Sequence, residues 1–134
     1  MKFSENYISL KHGNKIFIRS WLPKQKAKKC ILIIHGLGEH SGRYEDFGLN
    51  LIKKNIGIYS FDLPGHGKSD GKKGHIKKFS EFLNATEQSL IHIRRNHLNC
   101  PIILFGHSLG ALIALNFLID RESRELSLIH ISEP

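Results

Sequence analysis

The sequence has few of the features that would place it outside the cytoplasm or in a membrane. No apolar run approaches the ~20 residues of a membrane-spanning helix. Residues 1–22 are polar and alternating, so they lack the apolar core of a signal peptide. Only two cysteines occur, Cys30 and Cys100, each at the entrance of an apolar segment. We therefore expect a soluble cytoplasmic protein with two buried free thiols and no bound metal.

Acidic residues are also scarce relative to basic ones. The sequence contains twelve Asp and Glu residues and twenty Lys and Arg residues, which gives a net charge of +8. The lysines are scattered over several predicted loops and helix ends, with no aromatic residues between them. We interpret them as a solvated surface and expect no nucleic-acid partner, with weak peripheral contact to an anionic membrane as the alternative.

The pattern of apolar residues predicts an α/β fold. Alternation over residues 7–10 and 15–21, around a His-Gly-Asn turn, predicts an N-terminal β-hairpin. Further apolar segments predict strands at 30–34, 56–61 and 102–105, and helices at 43–55, 79–97 and 109–118. Such alternation favours a mainly parallel sheet with helices on both faces. The loops after Ile34, Phe61 and Phe105 then share the sheet edge where ligands bind.

One loop on this edge carries a candidate nucleophile. Residues 106–110 read Gly-His-Ser-Leu-Gly, which fits the pattern G-x-S-x-G between a buried strand and an apolar helix. This context predicts a strained turn that presents Ser108 at a helix N-terminus. The alternative is that Ser108 caps a core helix.

The loop after Ile34 does not fit the glycine pattern of a nicotinamide-binding site. Residues 36–38, Gly-Leu-Gly, begin the pattern G-x-G-x-x-G, but Ser41 stands in place of the third glycine. We expect no cofactor.

Three segments together resemble a known family. Residues 35–44, 62–71 and 106–110 match, in order and spacing, the monoacylglycerol lipase and lysophospholipase group of α/β-hydrolases, which are serine aminopeptidase-like. The resemblance extends from Ile31 to about Phe117. It implies a hydrolase that cleaves a carboxylic ester of a single-chain acyl lipid through an acyl-serine intermediate.

The resemblance also implies residue roles. Ser108 becomes the nucleophile, and the backbone N–H groups of Leu37 and Leu109 become the oxyanion hole. The dipeptide of His35 and Gly36 presents Leu37.

Further residues of the resemblance support the loops rather than the chemistry. Around the elbow these are Gly106, His107 and Gly110, and in the neighbouring loop they are Gly65 and Gly67. The sequence departs from the family at Ala111, where glycine is usual, and at Ala85, where an acidic residue is usual; both departures concern packing.

The rest of a catalytic triad is not evident. In this fold the order along the chain is Ser, then Asp or Glu, then His. After Ser108, residues 109–125 contain Asp120, Glu122 and Glu125 but no histidine, and Asp120 lies about 18 Å along the same helix. Upstream, His35, His40, His66 and His107 are expected to be loop residues rather than the base. We therefore expect an N-terminal half without lid, triad acid or base, inactive alone.

The last nine residues are interpreted separately. Residues 126–134 resemble a translated sequencing adapter, so we expect a non-native read-through tail after an α/β-hydrolase portion at 1–125. The alternative is a genuine short strand. If the tail adds no strand to the sheet, the strand at 102–105 is expected to be an unpaired apolar edge that promotes aggregation.

Other functions remain open within the same fold. A peptidase, a thioesterase or an acyltransferase uses the same elbow, and a non-catalytic pseudoenzyme is a further alternative. Neither the acyl length, the head group nor the oligomeric state follows from the sequence.

Overall fold

The computed structural model describes residues 1–75, 78–121 and 129–132. A six-stranded sheet has the order β1-β2-β4-β3-β5-β6. Its strands are β1 (Lys2–Ser9), β2 (Lys15–Leu22), β3 (Lys29–Ile34), β4 (Ile56–Phe61), β5 (Ile102–Gly106) and β6 (Ile129–Ser132). Its helices are α1 (Glu45–Leu51), α2 (Phe79–Asn96) and α3 (Leu109–Arg121).

The pairing confirms the predicted hairpin and parallel sheet. Strands β1 and β2 pair antiparallel, as do β2 and β4. The remaining pairs, β3 with β4, β3 with β5, and β5 with β6, are parallel. Each predicted strand and helix is present, although β1 starts five residues earlier than expected. The helix predicted at 43–55 contains only a seven-residue α-helix, which lies between two 3-10 turns, Ser41–Tyr44 and Ile52–Lys54.

Helices cover both faces of the sheet, as the apolar run of β3 predicts. Leu32 and Ile34 face a large core built with α2 and α3, whereas Ile33 faces a smaller cluster with Trp21 and the α1 region. All three β3 side chains are fully buried. A strand sandwiched in this way has no solvated face, which explains its lack of alternation. The two cysteines are free and buried, as expected.

The connections place a crevice at the carboxyl end of β3. The chain leaves β3, crosses through α1 to β4 on one side, and returns through α2 to β5 on the other side. Right-handed crossovers in opposite directions put α1 and α2 on opposite faces. The loops after β3 and β5 diverge at this point, where α/β sheets bind ligands.

The expectation that β5 forms an open edge is wrong. Strand β6 pairs parallel with β5, and Ile102 lies opposite Ile129 while Phe105 lies opposite Ser132. Residues 129–132, Ile-His-Ile-Ser, alternate as a strand does and satisfy the outer ladder of β5. The reason given for aggregation therefore does not hold. The predicted boundary at 125/126 lies outside the described residues, and the non-native origin of the tail stays a prediction.

Candidate active site

The turn between β5 and α3 has the strained geometry that the motif predicts. Ser108 adopts φ +57°, a left-handed conformation that costs a non-glycine residue of order 1–3 kcal/mol. Its side chain is exposed rather than sunk in the core. Only His107 separates the residue from the end of β5 at Gly106, and it directly precedes Leu109, the first residue of α3. The chain therefore holds a hydroxyl at the sheet edge at a measurable conformational cost.

The two glycines of the motif are required by close backbone contacts. A Cβ atom on Gly110 would overlap the carbonyl group of Ile34, at the end of β3. A Cβ atom on Gly106 would overlap the backbone of Gly110. The first turn of α3 thus lies directly on the ends of β3 and β5, and side chains at either position would push the helix away from the sheet.

Two backbone amides near the turn are free to bind an anion. The N–H of Leu109 is in the first turn of α3, where an intrahelical acceptor is not available. The N–H of Leu37 belongs to the loop after β3. Within the described part of the chain, neither amide donates to a backbone or side-chain acceptor. Both predicted oxyanion donors are therefore unpaired.

His35 fixes the direction of the Leu37 amide. Its Nδ1–H donates to the Gly36 carbonyl oxygen at 2.7 Å, and its Nε2 accepts the Leu63 N–H at 2.9 Å. The Gly36 carbonyl and the Leu37 N–H belong to one planar trans peptide, so they point in opposite directions. Anchoring the carbonyl inward therefore turns the Leu37 N–H outward. This contact offers a physical basis for the role predicted for His35 and Gly36, which is to present the Leu37 N–H.

The loop after β3 touches the turn that carries Ser108. A Cβ atom on Gly36 would lie 3.2 Å from the His107 carbonyl oxygen and 3.3 Å from Ser108 Cβ. The His107 N–H donates to the Ile34 carbonyl oxygen at 3.2 Å. The loop that carries Leu37 therefore lies against the elbow that carries Ser108 and Leu109, and Gly36, Gly106 and Gly110 lie at this contact. The predicted Gly65 and Gly67 lie instead against residues of their own loop, Lys72 and His75 for Gly65 and Asp62 for Gly67.

Three of the four histidines near the edge have hydrogen-bond partners, and the fourth, His107, places Nε2 3.8 Å from Glu39 Oε2. His35 uses both ring nitrogens, and His66 directs Nδ1 to the Pro64 carbonyl oxygen at 3.2 Å. His40 accepts the Gly42 N–H. Among the side chains that the structure describes, none forms a hydrogen bond with the Ser108 hydroxyl. Glu122 and Glu125 lie outside the described residues.

Sequence reasoning missed the buried carboxylate of Asp62. It accepts hydrogen bonds from the Ser41 N–H at 2.7 Å, the Ser41 hydroxyl at 2.6 Å and the Lys68 N–H at 2.8 Å. Burial raises the pKa of Asp62, but these hydrogen bonds and the nearby His35 outweigh burial, so its pKa lies below the usual range. The ionised carboxylate joins the loops after β3 and β4. An Asp directly after a buried strand is the signal that could have found it.

The unfolding free energy is expected to fall as the pH drops from 7.5 to 5.5. Burial lowers the pKa of His35 below its ordinary value of about 6.5, and burial likewise lowers the pKa of His92 and His97. The unfolded chain then binds more protons than the folded chain below about pH 6.5, which favours unfolding. Urea unfolding of the 134-residue chain at several pH values measures the slope.

Two variants assign the slope to residues. His35→Gln should reduce the pH dependence, whereas His12→Gln, in the exposed β1–β2 turn, should keep it. A free energy of unfolding that stays constant or rises on acidification would contradict the lowered pKa of these histidines in the folded chain.

No helix in the described residues has the combined length and apolarity to span a membrane. The same residues contain no cluster of three or more His, Cys, Asp or Glu side chains that could hold a metal ion.

Comparison with known proteins places this geometry in a family. Residues 25–132 match the family described as serine aminopeptidase, S33. The chain is 33% identical over 117 residues to a monoglyceride lipase homolog of Monkeypox virus, which covers 87% of the chain and 42% of that protein. It is 32% identical over 120 residues to the monoglyceride lipase of Homo sapiens, which covers 90% of the chain and 40% of that protein.

Solved structures agree on the fold. A thermostable carboxyl esterase from Bacillus coagulans superposes with a TM-score of 0.84 at 23% identity, covering 98% of this chain and 44% of that one. The chain thus spans about two fifths of the length of the relatives that it matches. The family match over most of the chain and the sheet with its serine elbow lead to one conclusion: the chain belongs to the serine aminopeptidase S33 family of α/β-hydrolases.

Proposed function

We propose that this chain is the nucleophile-bearing part of a serine hydrolase that cleaves a carboxylic ester of a single-chain acyl lipid. The observation that carries the proposal is the exposed, left-handed Ser108 beside the unpaired N–H groups of Leu37 and Leu109. A serine held in this way is suited to nucleophilic attack. Two free backbone N–H groups are suited to binding the oxyanion that the attack produces.

The proposed reaction proceeds in two steps. The Ser108 oxygen attacks the ester carbonyl and loses its proton to a general base, while the carbonyl oxygen becomes an oxyanion. The Leu37 and Leu109 amides stabilise that charge by about 3 kcal/mol each. The tetrahedral adduct collapses, the C–O bond to the alcohol breaks, and the alcohol leaves with a proton from the protonated base. Water then attacks the acyl-serine and loses a proton to the base, the C–O bond to Ser108 breaks, and the base returns the proton to the Ser108 oxygen as the carboxylic acid leaves.

An acyl ester is the substrate class that the relatives and the surface favour. Relatives of the chain are named monoglyceride lipase and monoacylglycerol lipase, and one from Bacillus subtilis, 31% identical, is named a phospholipase. The Leu37 side chain beside the site is 69% exposed, which offers an apolar contact to an acyl chain at the loop that carries the oxyanion donor.

The 134-residue polypeptide alone is proposed to have no normal turnover. A serine hydroxyl reacts slowly until a base takes its proton. The described side chains place no imidazole on the Ser108 hydroxyl, and the histidines near the sheet edge have other partners. The base and its acidic partner are therefore assigned to a longer protein that contains this chain.

Hydrolysis assays test both parts of the proposal. The full-length protein that contains this chain should release fatty acid from a monoacylglycerol, and the 134-residue chain should be slower by at least about 10³-fold. Peptide, thioester and acyl-transfer substrates serve as matched alternatives. A full-length protein that prefers one of them contradicts the substrate class, and one that hydrolyses none supports a pseudoenzyme. Normal turnover by the 134-residue chain would contradict the assignment of the base.

A further inference from the structure

Glu39, in the loop after β3, contacts both halves of the proposed site. Its Oε1 accepts hydrogen bonds from the Gly36 N–H at 2.9 Å and from the Tyr44 hydroxyl at 3.1 Å. Its Oε2 is paired with the Arg43 guanidinium and lies 3.8 Å from His107 Nε2. The side chain is only 14% exposed. A carboxylate so enclosed is held in one orientation.

Glu39 also forms hydrogen bonds with both backbone polar groups of Gly36, its N–H and its carbonyl oxygen. The backbone N–H of Glu39 donates to the Gly36 carbonyl oxygen at 3.2 Å, while its carboxylate accepts the Gly36 N–H. The first bond adds to the His35 contact that turns the Leu37 N–H outward. The second bond occupies the Gly36 N–H. Of the two amides at residues 36 and 37, the Leu37 N–H is then the one left free to bind an oxyanion.

The same carboxylate faces the elbow through His107, the residue before Ser108. Gly36 lies so close to the elbow that a Cβ atom on it would be 3.2 Å from the His107 carbonyl oxygen and 3.3 Å from Ser108 Cβ. A small movement of the loop would therefore change the separation between the Leu37 amide and the Ser108 oxygen. Misplacement of a catalytic group by about 1 Å can cost about 10²-fold in rate.

We propose that Glu39 is a positioning residue that holds the oxyanion loop against the serine elbow by accepting the Gly36 N–H. This inference rests on the proposed ester hydrolysis. It assigns the effect to the acceptor oxygen at that position, Oε1, which the Tyr44 hydroxyl also holds by a hydrogen bond. Burial raises the pKa of Glu39, but the Gly36 and Tyr44 hydrogen bonds, Arg43 and His107 outweigh it, so the carboxyl is ionised at neutral pH.

Three substitutions in the full-length protein separate position from charge. Glu39→Gln keeps an acceptor oxygen at the same distance and should retain kcat within about 3-fold, whereas Glu39→Asp keeps the charge but withdraws it by one methylene and should lower kcat by about 10-fold. Glu39→Ala should lower kcat by about 30-fold, a smaller loss than removing a donor outright, which costs about 10²–10³. The KM value should change by less than about 3-fold in all three variants, because the contact acts in the transition state.

A second readout distinguishes positioning from general damage. A trifluoromethyl ketone, whose serine adduct carries an oxyanion, should lose affinity for the Ala and Asp variants by the same factors as kcat. An ether analogue of the substrate has no carbonyl and should bind all variants equally. Glu45→Ala, at an exposed position in α1, is the matched control and should behave as the unmodified protein.

The outcomes that overturn the inference are specific. Full activity of Glu39→Asp together with loss in Glu39→Gln would show that charge matters and the Gly36 contact does not. Equal loss of affinity for both inhibitors would show a folding defect. If Glu39→Ala does not fold, the Asp and Gln variants decide. An inactive unmodified protein without a labelled Ser108 refutes the proposed function itself, which is a different result from an active protein that ignores Glu39.

Discussion

Replacing Ser108 by alanine is expected to lower ester hydrolysis by the full-length protein by at least about 10⁴-fold. The hydroxyl is the only group removed, and alanine and serine have similar difficulty in adopting φ +57°. The amides of Leu37 and Leu109 remain, so a small residual rate over water from binding and the oxyanion hole is expected. The loss should appear in kcat, measured with a monoacylglycerol, while the unfolding free energy stays within about 0.5 kcal/mol.

Ser9→Ala provides the control for this substitution. Ser9 is exposed at the end of β1, on the antiparallel hairpin and distant in the fold from the elbow. It should leave kcat unchanged. Retention of more than about a tenth of the activity by Ser108→Ala would mean that the elbow serine does not form the acyl intermediate.

Replacing Gly110 by alanine is expected to have the largest effect on folding. The added methyl group would overlap the Ile34 carbonyl group, and the nearby His35 carbonyl oxygen leaves it no room to shift sideways. Both obstacles are backbone atoms, one in the last residue of the central strand β3 and one in the residue after it, so the α3 helix must move instead. We expect the free energy of unfolding to fall by about 3 kcal/mol, at the upper end of the range for overpacking. Urea unfolding of the 134-residue chain measures it.

Gly42→Ala is the matched substitution for comparison. Its new methyl group would meet mainly the side chain of His40, which is exposed and able to rotate away. A cost under about 1 kcal/mol is expected. If Gly110→Ala were as mild as Gly42→Ala, the close crossing of α3 over β3, and with it the placement of Ser108, would be incorrect.

The sequence predicts the parts of this fold in which local pattern and tertiary environment agree. The unbroken apolar run of β3 indicates a strand covered on both faces, and Ile33 and Ile34 do face opposite clusters. The motif at 106–110 predicts the strained Ser108 because its glycines allow the crossing of strand and helix. These features depend on residues close together in the chain.

Features set by distant contacts were not predicted. The β1 strand begins at Lys2, although residues 2–6 are largely polar, because its outer face is exposed and its hydrogen bonds come from β2. The helix predicted at 43–55 is shortened, and Gly48 approaches the Trp21 ring so closely that a Cβ atom would lie 3.0 Å from it. The sequence indicates the strand that pairs with β5 only as the alternative interpretation of the last nine residues.

Within the candidate site, the sequence predicts the serine, the two amides and their glycine and histidine supports, but not the carboxylates that join the loops. Ser108 and the Leu37 loop belong to recognisable motifs, whereas Asp62 and Glu39 act through hydrogen bonds to backbone amides. The identity of such an acceptor depends on where separate loops meet. The bond between Asp62 and Ser41 joins residues 21 positions apart.

Reaction of the full-length protein with a fluorophosphonate, followed by tryptic peptide mapping, tests the central claim most directly. Residues 96–121 lie between arginine cleavage sites and contain Ser108 as their only serine, with no threonine or tyrosine. The account predicts one phosphonate group on this peptide, at Ser108, in the native protein and none after denaturation. A native protein that stays unlabelled, or is labelled on a different peptide, would contradict the assignment of Ser108 as the nucleophile.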